Sequence, residues 1–284
     1  TMAATPERVE TFLSDLIERF RPLRDRDLDA LRQLKEEEEG PSAGPLEPWD
    51  AAYYVRAYKA TQGVDEAKLR EYFPLDHVKG EILSIYEELL GLKFVKVEDA
   101  KVWHPDVECY AVLESVTPGD SAGQNLLGYF YLDLFPRDGK YTHQCVYPLG
   151  PSFEVQKEDG GIKRVLPMCA NIGNLPRGGE DGTPSMLRFR EVETFFHEFG
   201  HVVHSVLSKS RHSLQSWAWS AVPWPGGVEQ DFLEVPSMML ENFVWRPEVL
   251  RRLSKRPEDG SCLPEETISA LSRSRFVMEG YSRS

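Results

Sequence analysis

A short segment with three histidines limits most strongly what this chain can fold into. The stretch FFHEFGHVVH, residues 195–204, contains the pattern H-E-x-x-H, with His197 and His201 four positions apart and Glu198 beside the first. Residues four apart share one face of an α-helix, so both imidazoles can reach one tetrahedral metal ion. Glu198 lies one position further round, where it can act on a water molecule at the metal without binding the metal itself. The pattern predicts a zinc site on a helix, with Glu198 as the general base.

The alternative is that His197 and His201 are ordinary histidines on a helix face, each held by hydrogen bonds. Apolar residues around the motif keep helical spacing, which places it on a helix in either case. Gly200 argues against the alternative, because a glycine inside a helix costs about 1 kcal/mol relative to alanine. It indicates that another element packs closely there.

A zinc site of this class needs a third protein ligand, and residues 228–245, VEQDFLEVPSMMLENFVW, offer two carboxylates. Glu234 and Glu241 are seven positions apart and therefore lie on one face of a helix. Pro236 fits the first turn, which places Glu234 near the positive end of the helix dipole. We predict Glu234 as the third zinc ligand and Glu241 as the acceptor for the outer nitrogen of a ligating histidine. The alternative for each glutamate is a solvated helix face.

The pattern of the remaining chain is mainly helical, with short strands in the middle. Apolar residues between positions 9 and 20 recur at helical spacing, and Thr5-Pro6 fits the start of an amphipathic helix. A second helical run is expected to end at about Glu39. Frequent glycine and proline between Val155 and Ser185 predict a long loop before the histidine-bearing helix.

We therefore expect a mainly α fold with a small antiparallel β-sheet, organised as a single catalytic region over residues 1–284. The strands are short, rich in β-branched and aromatic residues, and bounded by turn residues. The expected parts are a helical part at 5–95, a sheet region at 100–150 and a zinc-helix region at 185–250.

Charge and cysteine content limit the partners and the compartment. Lys and Arg total 33 against 46 Asp and Glu, a net charge of −13 that does not favour nucleic acid. No apolar run reaches the ~20 residues of a membrane span, so no membrane partner is expected. The four cysteines form no C-x-x-C pair, which favours reduced thiols. We expect a cytoplasmic location, or a mitochondrial one if a leader precedes this sequence.

Taken together, these segments resemble the thimet oligopeptidase and neurolysin family of zinc metallopeptidases. EVETFFHEFGHVVH and EQDFLEVPSMMLENFVW are similar to the two metal-site segments of that family. REYFP, IYEELLGL and GYFYLDLFPRDGKYTH extend the resemblance from about Val9 to Arg275.

Carried over residue by residue, the resemblance implies one Zn²⁺ held by His197, His201 and Glu234, with Glu198 as general base. It also implies the catalytic half of a zincin-type helical oligopeptidase, in which a deep channel admits only short peptides. The expected function is a zinc metalloendopeptidase that hydrolyses internal bonds of short oligopeptides. The sequence sets no oligomeric state.

The chain also differs from the family pattern. Family members have a long helical region ahead of the first predicted helix, and a loop with a histidine and several tyrosines after the position of Arg275. Here the segment 213–227 lengthens the spacing between His201 and Glu234, and Phe189 stands where the family usually has histidine. The alternative function is therefore a catalytically weak or inactive truncated isoform or fragment that still binds zinc.

Overall fold

The computed structural model describes residues 3–283 apart from 116–124, 217–226 and 230. The chain divides into two compact units, one made of Thr1–Leu69 with Leu263–Ser284 and the other of Arg70–Cys262. None of the helices in the described part is long and apolar enough to cross a membrane. The single catalytic region over residues 1–284 stays a prediction.

The described elements confirm a mainly helical chain with a small sheet. The helices are α1 (Pro6–Glu39), α2 (Pro48–Thr61), α3 (Glu66–Arg70), α4 (Leu75–Leu90), α5 (Phe189–Leu207), α6 (Val235–Glu241), α7 (Pro247–Leu253), α8 (Glu265–Ser274) and α9 (Glu279–Arg283). The strands are β1 (Leu92–Lys96), β2 (Glu108–Glu114), β3 (Leu126–Asp133), β4 (Cys145–Gly150), β5 (Phe153–Gln156), β6 (Ile162–Val165) and β7 (Met168–Ile172). Short 3₁₀ helices cover Ser213–Gln215 and Asn242–Trp245.

Helix α1 belongs to the first unit and is a single helix, so the prediction of two helical runs before Glu39 was wrong. It begins after Thr5, whose side-chain oxygen accepts a hydrogen bond from the Arg8 backbone N–H at 3.4 Å. Pro22 lies inside the helix. A proline removes one backbone hydrogen bond, but strong helix formers such as Arg, Leu and Glu flank it on both sides.

The core of the first unit lies against the second half of α1. Leu31, Tyr54 and Met278 form a buried cluster that joins α1, α2 and the segment before α9. The apolar residues of the first half of α1 lie outside this cluster, since Phe12 is 61% exposed and Leu13 is 50% exposed. The helix is amphipathic as predicted, but its first half does not bury its apolar face among the described residues.

The second unit is built on a sheet of five described strands in the order β1-β2-β3-β7-β4. Neighbouring strands are antiparallel except β3 and β7, which run parallel. Strands β5 and β6 form a separate antiparallel hairpin. The prediction of a loop from Val155 to Ser185 was therefore wrong in its first part, which contains the second half of β5 and all of β6 and β7.

The glycines in the turn of this hairpin, together with its very short strands, explain why the segment was predicted as a loop. Its residues include Asp159-Gly160-Gly161, and Gly160 has the positive φ of 79° that such a turn requires. An Asp-Gly pair between short strands is a hairpin signal. The flanking strands have only four residues each, too few to show a period.

Helix α5 packs over this sheet through aromatic residues. The Phe199 ring lies 5.3 Å from the ring of Phe130 on β3 and 5.5 Å from that of Phe94 on β1, and Phe199 is fully buried. On the side of α4, the Tyr86 hydroxyl donates a hydrogen bond to the Phe196 carbonyl at 2.7 Å. Because Phe199 anchors one side of α5, His197 and His201 lie on the other side of the helix.

A buried ion network fixes the connection from β3 to β4. The Asp133 carboxylate accepts hydrogen bonds from Arg137 at 2.6 and 2.7 Å, from Lys140 at 2.9 Å and from Trp103 at 2.8 Å. The Lys140 ammonium also donates to the carbonyls of Phe135 and Gly173. This ties the connection to the end of β7 and sets the start of β4, the strand that passes beside the histidine-bearing helix.

Candidate metal centre

Helices α5 and α6 bring two imidazoles and one carboxylate to a single point. The Nε2 atom of His197 lies 3.2 Å from Glu234 Oε2, and the Nε2 atom of His201 lies 3.1 Å from the same oxygen. One ligand atom from each of the three residues lies within 4.8 Å of the others. Among the described residues, this is the group of three that could hold a metal ion.

The distances and the donor types fit zinc. Zinc bonds of about 2.0–2.2 Å to nitrogen and oxygen at tetrahedral angles place two ligand atoms about 3.3 Å apart. The separations of 3.1 and 3.2 Å are close to this value. Two imidazoles and one carboxylate are a donor set that zinc hydrolases use while keeping one coordination position open.

Glu241 lies behind His197, on the side away from Glu234. Its Oε2 atom is 2.8 Å from His197 Nδ1, which leaves Nε2 of the same ring facing the other two groups. This hydrogen bond raises the pKa of His197 above its ordinary value, with burial acting in the opposite direction. Burial is the main cause that lowers the pKa of His201, which favours the neutral ring that a metal requires.

Glu198 is buried next to this group, with 8% of its surface exposed. Burial raises its pKa to about 7, although the positive charge available on His197 acts against the shift. The backbone N–H of Val146, on edge strand β4, also donates to this carboxylate and lowers the pKa. Burial therefore makes the ionised form of this carboxyl less favourable than it is in water.

The two helices come very close to each other at Gly200. A Cβ atom at Gly200 would lie 2.7 Å from Cα of Ser237 on α6, closer than real contacts allow. The close packing predicted from this glycine is therefore present, and the residue packed against Gly200 is Ser237. In the 3₁₀ helix that follows α6, the Trp245 indole N–H donates to Glu193 on α5 at 3.0 Å.

Sequence reasoning missed Ser237 and Val146. A small residue three positions after Glu234, facing a helix glycine, was an available signal for Ser237. The sequence carries no signal for Val146, because it contributes a backbone group from a strand whose place at the sheet edge is set by β7.

Other residues singled out in the sequence do not belong to this group of three. Burial lowers the pKa of His204, whose ring faces Phe232 at 6.4 Å. Phe189 packs between Phe73, at 5.8 Å, and Trp245, at 4.9 Å, and so fills an aromatic site at the start of α5. Most of the segment 213–227 lies outside the described residues.

Comparison with known proteins matches residues 1–283 to Peptidase family M3. Saccharolysin from Saccharomyces cerevisiae is 34% identical over 97% of this chain and 38% of its own length. The thimet-like oligopeptidase of Dictyostelium discoideum is 35% identical over 95% of this chain and 39% of its own length. Oligopeptidase A of Escherichia coli is 32% identical over 95% of this chain and 37% of its own length.

The chain thus spans well under half the length of these relatives, between 37% and 39%. The match to the family, in contrast, extends over nearly all of the chain. The resemblance seen in the sequence segments is confirmed, and the chain belongs to Peptidase family M3.

Proposed function

We propose that this chain carries the metal centre of a zinc metalloendopeptidase that cleaves internal bonds of short oligopeptides. The observation that supports this most directly is the meeting of His197 Nε2, His201 Nε2 and Glu234 Oε2 beside the buried Glu198, in a chain of a peptidase family. His197, His201 and Glu234 are the proposed ligands of one Zn²⁺. Glu241 holds the ring of His197 in the orientation that directs Nε2 at the metal.

The chain's own residues supply the proton transfer. When bound, zinc polarises the scissile carbonyl and makes a water molecule easier to deprotonate. Glu198 takes the proton from the attacking water and later gives it to the leaving amine. Glu198 directly follows the proposed ligand His197 and is buried, so a single carboxylate is in place for both transfers.

The substrate class and the cellular location of this chain are proposed from the names of similar proteins. Two of the similar proteins have names that describe oligopeptidases, which supports short peptides as substrates. We propose a cytoplasmic location, with the mitochondrion as the alternative, since one similar Arabidopsis thaliana protein is a mitochondrial intermediate peptidase. The alternative function is a chain that binds zinc but hydrolyses peptides weakly or not at all.

Hydrolysis of a quenched short peptide, with and without a zinc chelator, tests this function. Glu198→Gln keeps the size and polarity of the side chain but removes the proton acceptor, so kcat should fall at least ~100-fold while bound zinc is retained. The control is Glu98→Gln, an exposed glutamate just after β1, at the opposite edge of the sheet from β4. Its kcat should equal that of the wild type.

The outcomes separate the proposals. Chelator-sensitive hydrolysis that is lost in Glu198→Gln supports the endopeptidase. Stoichiometric zinc without hydrolysis supports the weak or inactive alternative. Undiminished hydrolysis in Glu198→Gln would show that another group activates the water.

A further inference from the structure

Ser237 is a fully buried residue that contacts the carboxylate proposed as the third zinc ligand. It lies on α6, three positions after Glu234, and is 0% exposed. Its hydroxyl lies 2.9 Å from Glu234 Oε2 and 3.0 Å from the Glu234 carbonyl oxygen. A serine hydroxyl has one hydrogen to donate, so these two acceptors of one residue share it. The acceptor Oε2 is the same oxygen that faces His197 and His201.

Burial does little to restrict the conformation of the Glu234 side chain. It is 52% exposed, whereas the side chain of His201 is 9% exposed. An exposed glutamate samples several rotamers and loses side-chain entropy when a single one is imposed. A buried hydroxyl bonded to Oε2 favours the rotamer that directs this oxygen at the imidazoles.

Gly200 determines where that hydroxyl stands. With a Cβ at Gly200 only 2.7 Å from Ser237 Cα and 3.3 Å from Ser237 Cβ, any larger residue would push α6 away from α5. Gly200 lies between Glu198 and His201 on α5, so this displacement would move Glu234 relative to both ligating histidines. The absence of a side chain at Gly200 therefore fixes the distance between the two ligand-bearing helices.

We infer that Ser237 is a positioning residue that holds Glu234 Oε2 towards His197 and His201, and that Gly200 permits it to do so. The inference rests on the proposed zinc site. Groups that orient metal ligands from behind typically contribute about 10–100-fold to metal affinity. Ser237 acts through Glu234 and does not itself touch the metal or the substrate.

The affinity for Zn²⁺, measured by competition with a chromogenic chelator on the purified chain, tests the inference. Ser237→Ala should weaken zinc binding ~10-fold or more. Ser205→Ala is the matched control, because Ser205 is a serine on α5 that is 2% exposed and lies near the thiol of Cys169, whose pKa it lowers, instead of near Glu234. Thermal unfolding of the metal-free proteins reports any purely structural damage. If Ser237→Ala does not fold, Ser237→Cys takes its place; its thiol fills similar space but is a weak donor, so zinc binding should again weaken.

A second pair of variants tests the contact between the helices. Gly200→Ala should weaken zinc binding although no ligand is changed. Gly80→Ala on α4, where an added Cβ would meet nothing within 4 Å, should leave zinc binding unchanged.

The possible results separate this inference from the proposed function. If wild type binds zinc and Ser237→Ala binds it equally well, the positioning role is overturned and the zinc site stands. If the wild-type chain takes up no zinc, both are overturned. A loss of affinity in Ser237→Ala and Gly200→Ala, with both controls unchanged, supports the positioning role.

Discussion

Asp133 is the buried charge on which the connection between β3 and β4 depends. Burial opposes its ionisation, but hydrogen bonds from Arg137, Lys140 and Trp103 outweigh this and hold the pKa of Asp133 well below its usual value. The carboxylate lies at the end of β3, next to the strand pair that places β4 beside Glu198. A single residue outside the metal centre therefore helps to set the surroundings of the proposed base.

Asp133→Asn should destabilise the protein by about 3–5 kcal/mol at pH 7, because it leaves the buried ammonium of Lys140 without its carboxylate partner. Urea unfolding measures this cost. Asp138→Asn, an exposed residue of the same connection, should change the free energy of unfolding by no more than about 0.5 kcal/mol. Equal effects of the two substitutions would show that the network contributes little.

The same network predicts a loss of stability in acid. The pKa of Asp133 is lower in the folded than in the unfolded chain, where it is about 3.9. The stabilisation is therefore complete above about pH 4–5 and is lost as the pH falls towards the folded value. The difference between wild type and Asp133→Asn should be constant from pH 5 to 8 and smaller at pH 3. A difference that grows in acid would contradict this sign.

At the residue scale, the motif H-E-x-x-H makes the grouping of His197, Glu198 and His201 predictable, because the helical period acts within five residues. Glu234 and Glu241 follow from a seven-residue spacing in the same way. The contact made by Ser237 could not be predicted in this way. It depends on where α6 packs against α5, and residue spacing within one helix carries no information about that. Gly200 indicates that another element packs closely against α5, but the sequence does not show which residue makes the contact.

At the scale of elements, helix α1 behaves differently in its two halves. Its second half carries Leu31, which is 0% exposed, into the cluster with Tyr54 and Met278. Its first half carries an apolar face that no element of the described chain buries fully. The sequence period is the same in both halves, so the period predicts a helix but does not say which part of it is packed.

This difference predicts unequal costs for the same substitution on one helix. Leu31→Ala should destabilise the first unit by about 2–5 kcal/mol, because it removes fully buried methyl groups. Leu13→Ala, at a position 50% exposed, should change the free energy of unfolding by about 0.5 kcal/mol or less. Chemical denaturation of the two variants checks this. A cost for Leu13→Ala equal to that for Leu31→Ala would mean that the first half of α1 is packed in solution.

The sheet shows what sequence reasoning could not provide at this scale. Short β-branched and aromatic runs predicted β2, β3 and β4, since each is bounded by turn residues. The parallel insertion of β7 between β3 and β4 was not predictable, because it depends on pairing between distant segments. That insertion makes β4 the edge strand and so brings Val146 to Glu198.

At the scale of the whole molecule, the proposed centre belongs to one of the two compact units. The three proposed ligands, the proposed base Glu198 and Glu241 all lie within Arg70–Cys262. The sheet places α5 through Phe199, and α5 places α6 through Gly200 and Ser237. The centre therefore depends on the packing of that unit, and zinc binding can be tested directly on the chain described here.

Elemental analysis of the purified chain tests the central claim most directly. Wild type should contain about one zinc ion per chain, and His201→Ala should lose most of it, because two remaining ligands hold zinc poorly. His104→Ala is the control, since this histidine of the same unit contacts Asp106 and lies outside the centre. It should keep the zinc content of wild type. Zinc content unchanged in His201→Ala would contradict the assignment of the metal centre.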